Sequence, residues 1–121
     1  MYTIVFYEDK NGNSQVLDYL KDLQVKSKTD KSARIQYKQA SLYINLLSEN
    51  GTRLNDNITK YIGDGIWELR PGNNRIFYFY FENDIYVLLH QFRKKTMKTP
   101  KREIDRAKQE KDDYIKRRET L

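Results

Sequence analysis

The chain opens with a short run of β-forming residues, after which its hydrophobic positions take up helical spacing twice. "YTIVFYE" predicts a first strand, which the polar run "DKNGNS" ends. Apolar residues three or four positions apart then predict two helices. The first begins after an N-cap at Asn13 or Ser14, and the second lies between an N-cap at Thr29 or Asp30 and a stop at Gly51. We expect these two helices to form a hairpin.

The hydrophobic period then changes from helical to two. "GIWELR", "RIFYFYF" and "DIYVLLHQF" are strand-like runs, and "PGNN" and "END" between them supply the turn residues of consecutive antiparallel hairpins. A final helix is predicted from a cap at Thr99, with Pro100 at its first position and Glu103 in its first turn, to about Arg118. Its apolar stripe is thin and consists of Ile104, Ala107, Tyr114 and Ile115.

The order of these elements predicts an α+β fold. A curved, antiparallel-rich sheet would carry the N-terminal helical hairpin on one face, and a loosely attached basic helix over residues 99–118 would end the chain. No internal repeat or linker interrupts the pattern, and 121 residues fit one domain. We therefore expect a single domain over residues 1–121.

Alternation along the second and third strand-like runs assigns their residues to two faces. The predicted core face holds Trp67, Leu69, Ile76, Tyr78 and Tyr80. The opposite face holds Phe77 and Phe79 with Arg70 and Arg75, which flank the "PGNN" turn and stand opposite each other. Like charges placed opposite are unfavourable, and an anion bound between them would reverse this. Alternatively, the arginines extend into solvent or pair with Glu68.

The aromatic residues beside the arginines allow two interpretations. An exposed surface of Phe77 and Phe79 would stack an unpaired base. Alternatively, these rings cover part of the core or the surface of a partner.

The face of His90 depends on one turn. If "ND" forms a two-residue loop, Phe77 faces His90 and Arg75 faces Phe92. If "END" forms a three-residue loop, the register slips by one residue and His90 points to the predicted core side. The ordinary pKa of histidine, about 6.5, suits proton transfer at neutral pH.

Composition excludes several classes of protein. With no cysteine, the chain has no disulfide framework, thiolate metal site or cysteine nucleophile. No apolar run approaches the roughly 18 residues that span a bilayer, and "MYTIVFYEDK" lacks the features of a signal peptide. We expect a cytoplasmic protein that does not associate with membranes.

The positive charge belongs to one end of the chain. Residues 93–118 contain twelve Lys or Arg and five Asp or Glu, a net charge of +7, so the other residues sum to −1 in a chain of net charge +6. Such a patch attracts polyanions, because each neutralised phosphate releases counterions. The alternative is an ordinary solvated helix face.

Cleavage of RNA without a metal requires a base for the 2′-OH, cations around the phosphorane and a proton donor for the leaving oxygen. His90, the arginine pair and the lysines after the last strand supply candidates for these roles. One histidine and scattered carboxylates match no metal-ligand spacing. We expect neither a metal nor another cofactor.

Two stretches also carry a family resemblance. "IWELRPGNNRIFYFYF" and "YVLLHQFRKKTMKTPKREIDRAKQEKDDYI" resemble the HigB-like toxins of type II toxin-antitoxin modules, the phage-derived Gp49-like group of the RelE superfamily. The likeness is strongest over residues 66–115. It implies a RelE-like fold and a ribosome-dependent endoribonuclease that cuts messenger RNA in the A site.

The resemblance also implies a partner and a set of site residues. The partner would be a HigA-like antitoxin with a helix-turn-helix domain, through which alone the complex would contact DNA and repress its operon. The candidate catalytic residues are Arg70, Arg75, His90 and Lys94. The candidate RNA-binding residues are Lys95, Lys98, Phe77 and Phe92. In this hypothesis the arginines stabilise the phosphorane, and His90 or Lys94 exchanges the 2′-OH proton.

Two other functions fit the same residues. A non-catalytic RNA-binding or ribosome-binding module would use the arginine and aromatic surface without cutting. An inactive remnant would act only with its antitoxin in operon repression, since the chain itself has no recognisable helix-turn-helix. Gln91 and Met97 depart from the family pattern, in which we expect a small residue and a glutamine.

Overall fold

A five-stranded sheet with helices on both faces forms the part of the chain that the computed structural model describes, residues 1–119. The strands are β1 Thr3–Phe6, β2 Thr59–Gly63, β3 Ile66–Leu69, β4 Asn74–Tyr80 and β5 Ile85–Arg93. The helices are α1 Gln15–Lys26, α2 Lys31–Asn50 and α3 Lys101–Glu119. This is the predicted α+β class. Residues 120 and 121, the end of the predicted domain, lie outside the described residues.

The strand order is β1-β5-β4-β3-β2. β1 runs parallel to β5, and the other neighbouring strands are antiparallel, which confirms the predicted meander of β3, β4 and β5. β2 was not predicted. It is short, its register with β3 shifts between Tyr61 and Gly63, and Lys60 and Tyr61 are exposed, so no alternating pattern marks it in the sequence.

The helix boundaries agree with the predicted caps. The Ser14 hydroxyl accepts a hydrogen bond from the Leu17 amide, and the Asp30 carboxylate accepts from the Ser32 amide. α2 ends at Gly51, whose φ of 62° places it in the left-handed region that favours glycine. These side-chain bonds satisfy amide groups that have no partner within the first turn of a helix.

Hydrophobic residues are buried on both faces of the sheet. Beneath α1 and α2, the core contains Val16, Leu47, Leu69, Ile76, Tyr78, Tyr86 and Leu88. Beneath α3, a second core contains Ile66, Phe77, Phe79, Val87, Leu89, Phe92, Ala107 and Tyr114. The predicted core face is confirmed for Leu69, Ile76 and Tyr78, whereas Tyr80 is 46% exposed. Of the two interpretations of the opposite face, the one in which its rings cover part of the core is found, because α3 packs over them.

Several contacts hold α3 firmly on the sheet. Its predicted apolar stripe is confirmed, since Ala107 and Tyr114 are buried and Ile104 and Ile115 pack against the same core. The Tyr7 hydroxyl donates a hydrogen bond of 2.7 Å to the Asp113 carboxylate, which lowers the pKa of Asp113. The expectation of a loosely attached helix is therefore wrong.

The turn between β4 and β5 is a three-residue loop. The Phe81 amide bonds to the Ile85 carbonyl, and Asn83 and Asp84 adopt positive φ angles of 51° and 61°. A bulge then places two residues of β5, Leu89 and His90, opposite one residue of β4, because the register shifts between Ile76 and Tyr78.

The bulge restores the register that a two-residue loop would have given. Arg75 pairs with Phe92, and His90 lies on the face of Phe77, beneath α3. The turn alone therefore did not decide the face of His90.

Candidate functional site

Basic side chains gather at the end of the sheet where the β3–β4 loop meets the end of β5. The Lys94 amide donates a hydrogen bond of 2.8 Å to the Asn73 carbonyl, which ties the two segments together. Beside this bond lies an open groove of about 400 Å³, which we call the arginine–lysine groove. It is lined by Asn73, Arg75, Lys94, Lys95, Thr96 and Met97.

The loop itself holds the Arg75 guanidinium. Its η1 nitrogen donates hydrogen bonds of 2.9 Å to the Gly72 carbonyl and 2.8 Å to the Asn74 carbonyl. The side chain is only 11% exposed, and this burial lowers the pKa of Arg75, an effect that the nearby Glu68 carboxylate opposes. Arginine nevertheless stays cationic in proteins, so the groove has a fixed positive charge at its inner end.

Arg70 stands opposite Arg75, as predicted. The β3–β4 register pairs Leu69 with Ile76, which makes Arg70 and Arg75 the next opposed pair. The η1 nitrogen of Arg70 donates a hydrogen bond of 2.7 Å to the Asp56 carbonyl. The two guanidinium groups are thus anchored by different backbone segments.

Glu68 lies between the two arginines. Its Oε2 is 3.2 Å from the Arg70 Nε and 3.7 Å from the Arg75 Nε, and the side chain is 2% exposed. Of the alternatives weighed for this pair, pairing with Glu68 is the one found. Neither contact has hydrogen-bond geometry, since both Nε atoms and the Glu68 Oε1 are buried with no hydrogen-bond partner among the described residues.

A chain of amide side chains fixes the loop to the helices. The Asn74 side chain donates to Gln36 of α2 at 3.1 Å and accepts from Gln91 of β5 at 2.9 Å. Gln91 in turn exchanges two hydrogen bonds with Gln15 of α1. These hydrogen bonds explain the presence of glutamine at position 91, where the family pattern led us to expect a small residue. Asn74 was not predicted as part of the site. Asparagine is common in turns, so its presence in "PGNN" indicated a turn and no further role.

His90 lies outside the groove. It is fully buried, with its Nδ1 2.6 Å from the Glu110 Oε1 and its Nε2 3.0 Å from the Glu103 Oε1. Both contacts are within hydrogen-bond distance, and the tautomer of the ring sets which nitrogen donates. His90 thereby joins β5 to α3. Glu103 and Glu110 were missed, although their spacing of seven residues places them on one face of a helix.

Two of the predicted RNA-binding residues are also buried. Phe77 is fully buried and Phe92 is 8% exposed, with ring centroids 5.2 Å apart, and Phe77 lies 5.5 Å from the His90 ring. Phe79 is 1% exposed. The expectation of an exposed aromatic surface for stacking bases is wrong, because α3 packs over these rings.

The remaining predicted residues lie at the surface. Lys95 and Lys98 are exposed, and Lys94 is half-buried at the groove. The Thr96 hydroxyl donates a hydrogen bond of 2.6 Å to the Lys98 carbonyl, which shapes the segment between β5 and α3. The structure thus brings Arg75, Lys94 and Lys95 to one groove, with Arg70 next to Arg75 across Glu68. His90, Phe77 and Phe92 are buried nearby beneath α3 and do not line the groove.

Residues 1–119 contain no helix that is both long and apolar enough to cross a membrane. Within the same range, no three or more His, Asp or Glu side chains are arranged to hold a metal ion.

One comparison with known proteins gives a match. A family model described as "Phage derived protein Gp49-like (DUF891)" matches residues 18–112, which cover most of the chain. This range includes α2, the whole meander, the arginine–lysine groove and most of α3. No curated protein sequence matches the chain.

Proposed function

Because the chain belongs to the phage-derived Gp49-like family, a toxin-like family of RelE/HigB type, we propose that it is the HigB-like toxin of a type II toxin-antitoxin module. Its activity would be that of a ribosome-dependent endoribonuclease that cuts translated messenger RNA. The reaction would need no metal and would proceed by attack of a 2′-OH on the adjacent phosphate.

The arrangement of fixed cations around the arginine–lysine groove carries this proposal. In the reaction, the 2′-oxygen bonds to phosphorus, the bond to the 5′-oxygen breaks, and a 2′,3′-cyclic phosphate and a 5′-OH result. Negative charge accumulates on the phosphorane, and cations held in place before the reaction stabilise that charge. Arg75 is held in this way by the Gly72 and Asn74 carbonyls.

The proposed roles follow from position and exposure. Arg75, supported by Arg70, would stabilise the phosphorane, and Lys94 at the groove would exchange the 2′-OH proton. The exposed Lys95 and Lys98 would bind the RNA backbone. The hypothesis that His90 transfers a proton does not fit its position, because α3 covers it and both ring nitrogens are bonded to glutamates.

The partners proposed for the chain follow from its family. A toxin of this kind is neutralised by a cognate antitoxin, for which the resemblance implies a HigA-like helix-turn-helix protein. The other proposed partners are the ribosome and the message it translates, which places the activity in the cytoplasm. The net charge of +7 over residues 93–118 favours contact with RNA phosphates near the groove.

One observation favours a second candidate function, a non-catalytic RNA-binding or ribosome-binding module. The burial of His90 removes the side chain best suited to proton transfer at neutral pH from the groove. The cations that remain are sufficient for binding phosphate, whether or not cleavage follows.

The test is induction of the chain in a bacterial host, followed by mapping of messenger RNA 5′ ends. Arg75→Ala is induced in parallel, with Arg53→Ala as a control, because Arg53 is exposed in the loop after α2 and does not line the groove. Circular dichroism checks the fold of each purified variant. We expect codon-phased cuts in translated messages from the parent and from Arg53→Ala, and about 100-fold fewer from Arg75→Ala.

Each other outcome has a distinct meaning. Full cleavage by a folded Arg75→Ala variant would sink the role of that arginine. Growth arrest without new 5′ ends would select the binding module, and the absence of any effect would indicate an inactive remnant.

A further inference from the structure

Glu68 is a buried carboxylate whose bonding is incomplete. Its Oε2 lies between two guanidinium groups at 3.2 and 3.7 Å, yet its Oε1 has no hydrogen-bond partner among the described residues. The Nε atoms that face it are equally unsatisfied. Buried charged groups normally form well-aligned hydrogen bonds, because each loses its hydration on folding. The three side chains therefore interact through their opposite charges, without well-aligned hydrogen bonds between them.

Each arginine also has an anchor other than Glu68. Arg75 is anchored by the Gly72 and Asn74 carbonyls, and Arg70 by the Asp56 carbonyl. The acceptors of these bonds are backbone carbonyls, so the bonds do not involve the carboxylate. What Glu68 contributes is negative charge, which leaves the three side chains with a net charge of +1 in place of +2.

A phosphate entering the groove would meet the Arg75 guanidinium, which lines the groove and also faces Glu68. Its oxygens can accept several charge-assisted hydrogen bonds at once, which Glu68 does not achieve in the observed geometry. The carboxylate and the phosphate therefore compete for Arg75.

We propose that Glu68 is an internal counter-ion that the phosphodiester of an RNA strand displaces from Arg75. This inference rests on the proposed function, since it takes the arginine–lysine groove as the phosphate site. Glu68 then sets a threshold for binding: a small anion gains too little from Arg75 alone, whereas an RNA strand that also contacts Lys94 and Lys95 overcomes the competition. The groove would thus discriminate against free phosphate and chloride.

The decisive experiment measures binding without cleavage. The probe is a fluorescent single-stranded RNA with 2′-O-methyl groups, which remove the attacking nucleophile, and its Kd is measured by anisotropy for the parent, Glu68→Gln and Glu49→Gln. Glu49 is an exposed residue of α2, so the control changes the net charge equally at a distance from the groove. We expect about tenfold tighter binding by Glu68→Gln, the effect of one nearby unit charge in a partly buried site, and a change under about twofold for Glu49→Gln.

A second set of measurements uses inorganic phosphate as the probe. Glu68→Gln is expected to bind phosphate measurably where the parent does not, because the threshold for small anions is removed. Equal or weaker binding of both probes by a folded Glu68→Gln variant would overturn the inference, since Glu68 would then be positioning the arginines.

Glu68→Gln leaves two buried cations without their carboxylate and is at risk of misfolding. A measurement on the unaltered protein covers this case: the ¹³C signal of the Glu68 carboxylate and the ¹⁵N signal of the Arg75 Nε are followed while the methylated RNA is added. Displacement predicts that both signals shift with the binding curve. If RNA binds but the Glu68 signal does not shift, the inference about Glu68 is wrong and the proposed function is unaffected. If the protein binds no RNA, either free or on the ribosome, the proposed function is wrong as well.

Discussion

His90 is the chain's only histidine, and it connects two elements of the fold through one side chain. Both ring nitrogens reach carboxylates of α3, while the ring itself packs at 5.5 Å against Phe77 of β4. A buried polar network of this kind is costly to break at one member, because the other members stay buried without their partner.

His90→Ala is expected to lower the free energy of unfolding by about 3 kcal/mol, since Glu103 and Glu110 lose their shared partner. Urea denaturation measures the change, and Lys98→Ala serves as the control, because this lysine is exposed and its loss should change stability by under about 0.5 kcal/mol. In the fraction of His90→Ala that is folded, we expect cleavage to persist. A variant of normal stability without cleavage would instead return His90 to the catalytic residues.

Sequence reasoning identified the groove residues better than the residues around them. Arg70 and Arg75 were predicted as an opposed pair because two-residue periodicity fixes which positions share a face, and β3 and β4 have no irregularity there. The backbone carbonyls that hold the arginines leave no trace in the sequence. Nor does the amide network around Asn74, because hydrogen bonds between distant residues have no fixed spacing along the chain.

Among the elements of the fold, α3 accounts for the main difference between the predicted and the observed structure, because it covers one face of the sheet. Apart from β2, the order of elements and the meander could be predicted from hydrophobic spacing, and the caps of α1 and α2 from the residue types at the helix ends. The alternation of apolar and aromatic residues also assigned Phe77 and Phe79 correctly to one face. It could not show that this face is covered, because the stripe of α3 that covers it contains only four apolar residues.

The bulge in β5 shows a second limit at this scale. One extra residue in a strand moves every later side chain of that strand to the opposite face of the sheet. The bulge falls at Leu89 and His90, where the sequence has no glycine or proline to mark it. The three-residue loop and the bulge cancel each other, so that a two-residue loop and a regular strand would have paired Arg75 with Phe92 equally well.

Tyr114 is the larger of the two buried residues of α3, and its ring lies 5.9 Å from Phe79 and 5.2 Å from Phe81. Tyr114→Ala is expected to cost about 3 kcal/mol, since a large buried side chain is lost and a cavity remains. Amide hydrogen exchange should rise along α3 much more than along α1 and α2, because local opening of a helix needs less than global unfolding.

Lys116→Ala is the matched control for this change. Lys116 is an exposed residue of the same helix, so its replacement should leave the exchange of α3 unchanged. An equal rise in exchange throughout the molecule after Tyr114→Ala would contradict the idea that α3 is a separable layer.

Across the whole molecule, the buried hydrophobic residues lie on both faces of the sheet, but the positive charge lies in one part of the chain. One core lies beneath α1 and α2 and the other beneath α3, whereas the positive charge is concentrated along residues 93–118. The arginine–lysine groove lies where this basic stretch begins. The part of an RNA strand that extends beyond the groove would therefore lie near further cations. The affinity of the protein for RNA would depend strongly on salt concentration.

Replacement of both Lys95 and Lys98 by alanine tests this distribution directly. If each lysine neutralises one phosphate, the slope of log Kd against log salt for a single-stranded RNA should fall by about 1.4, since each contact to a single strand contributes about 0.7. The control is a double replacement of Lys21 and Lys28, exposed residues near the α1–α2 turn, which removes the same charge and should leave the slope nearly unchanged. Equal losses of slope in both variants would mean that RNA responds to net charge alone. The basic segment would then be a solvated surface and not part of the binding site.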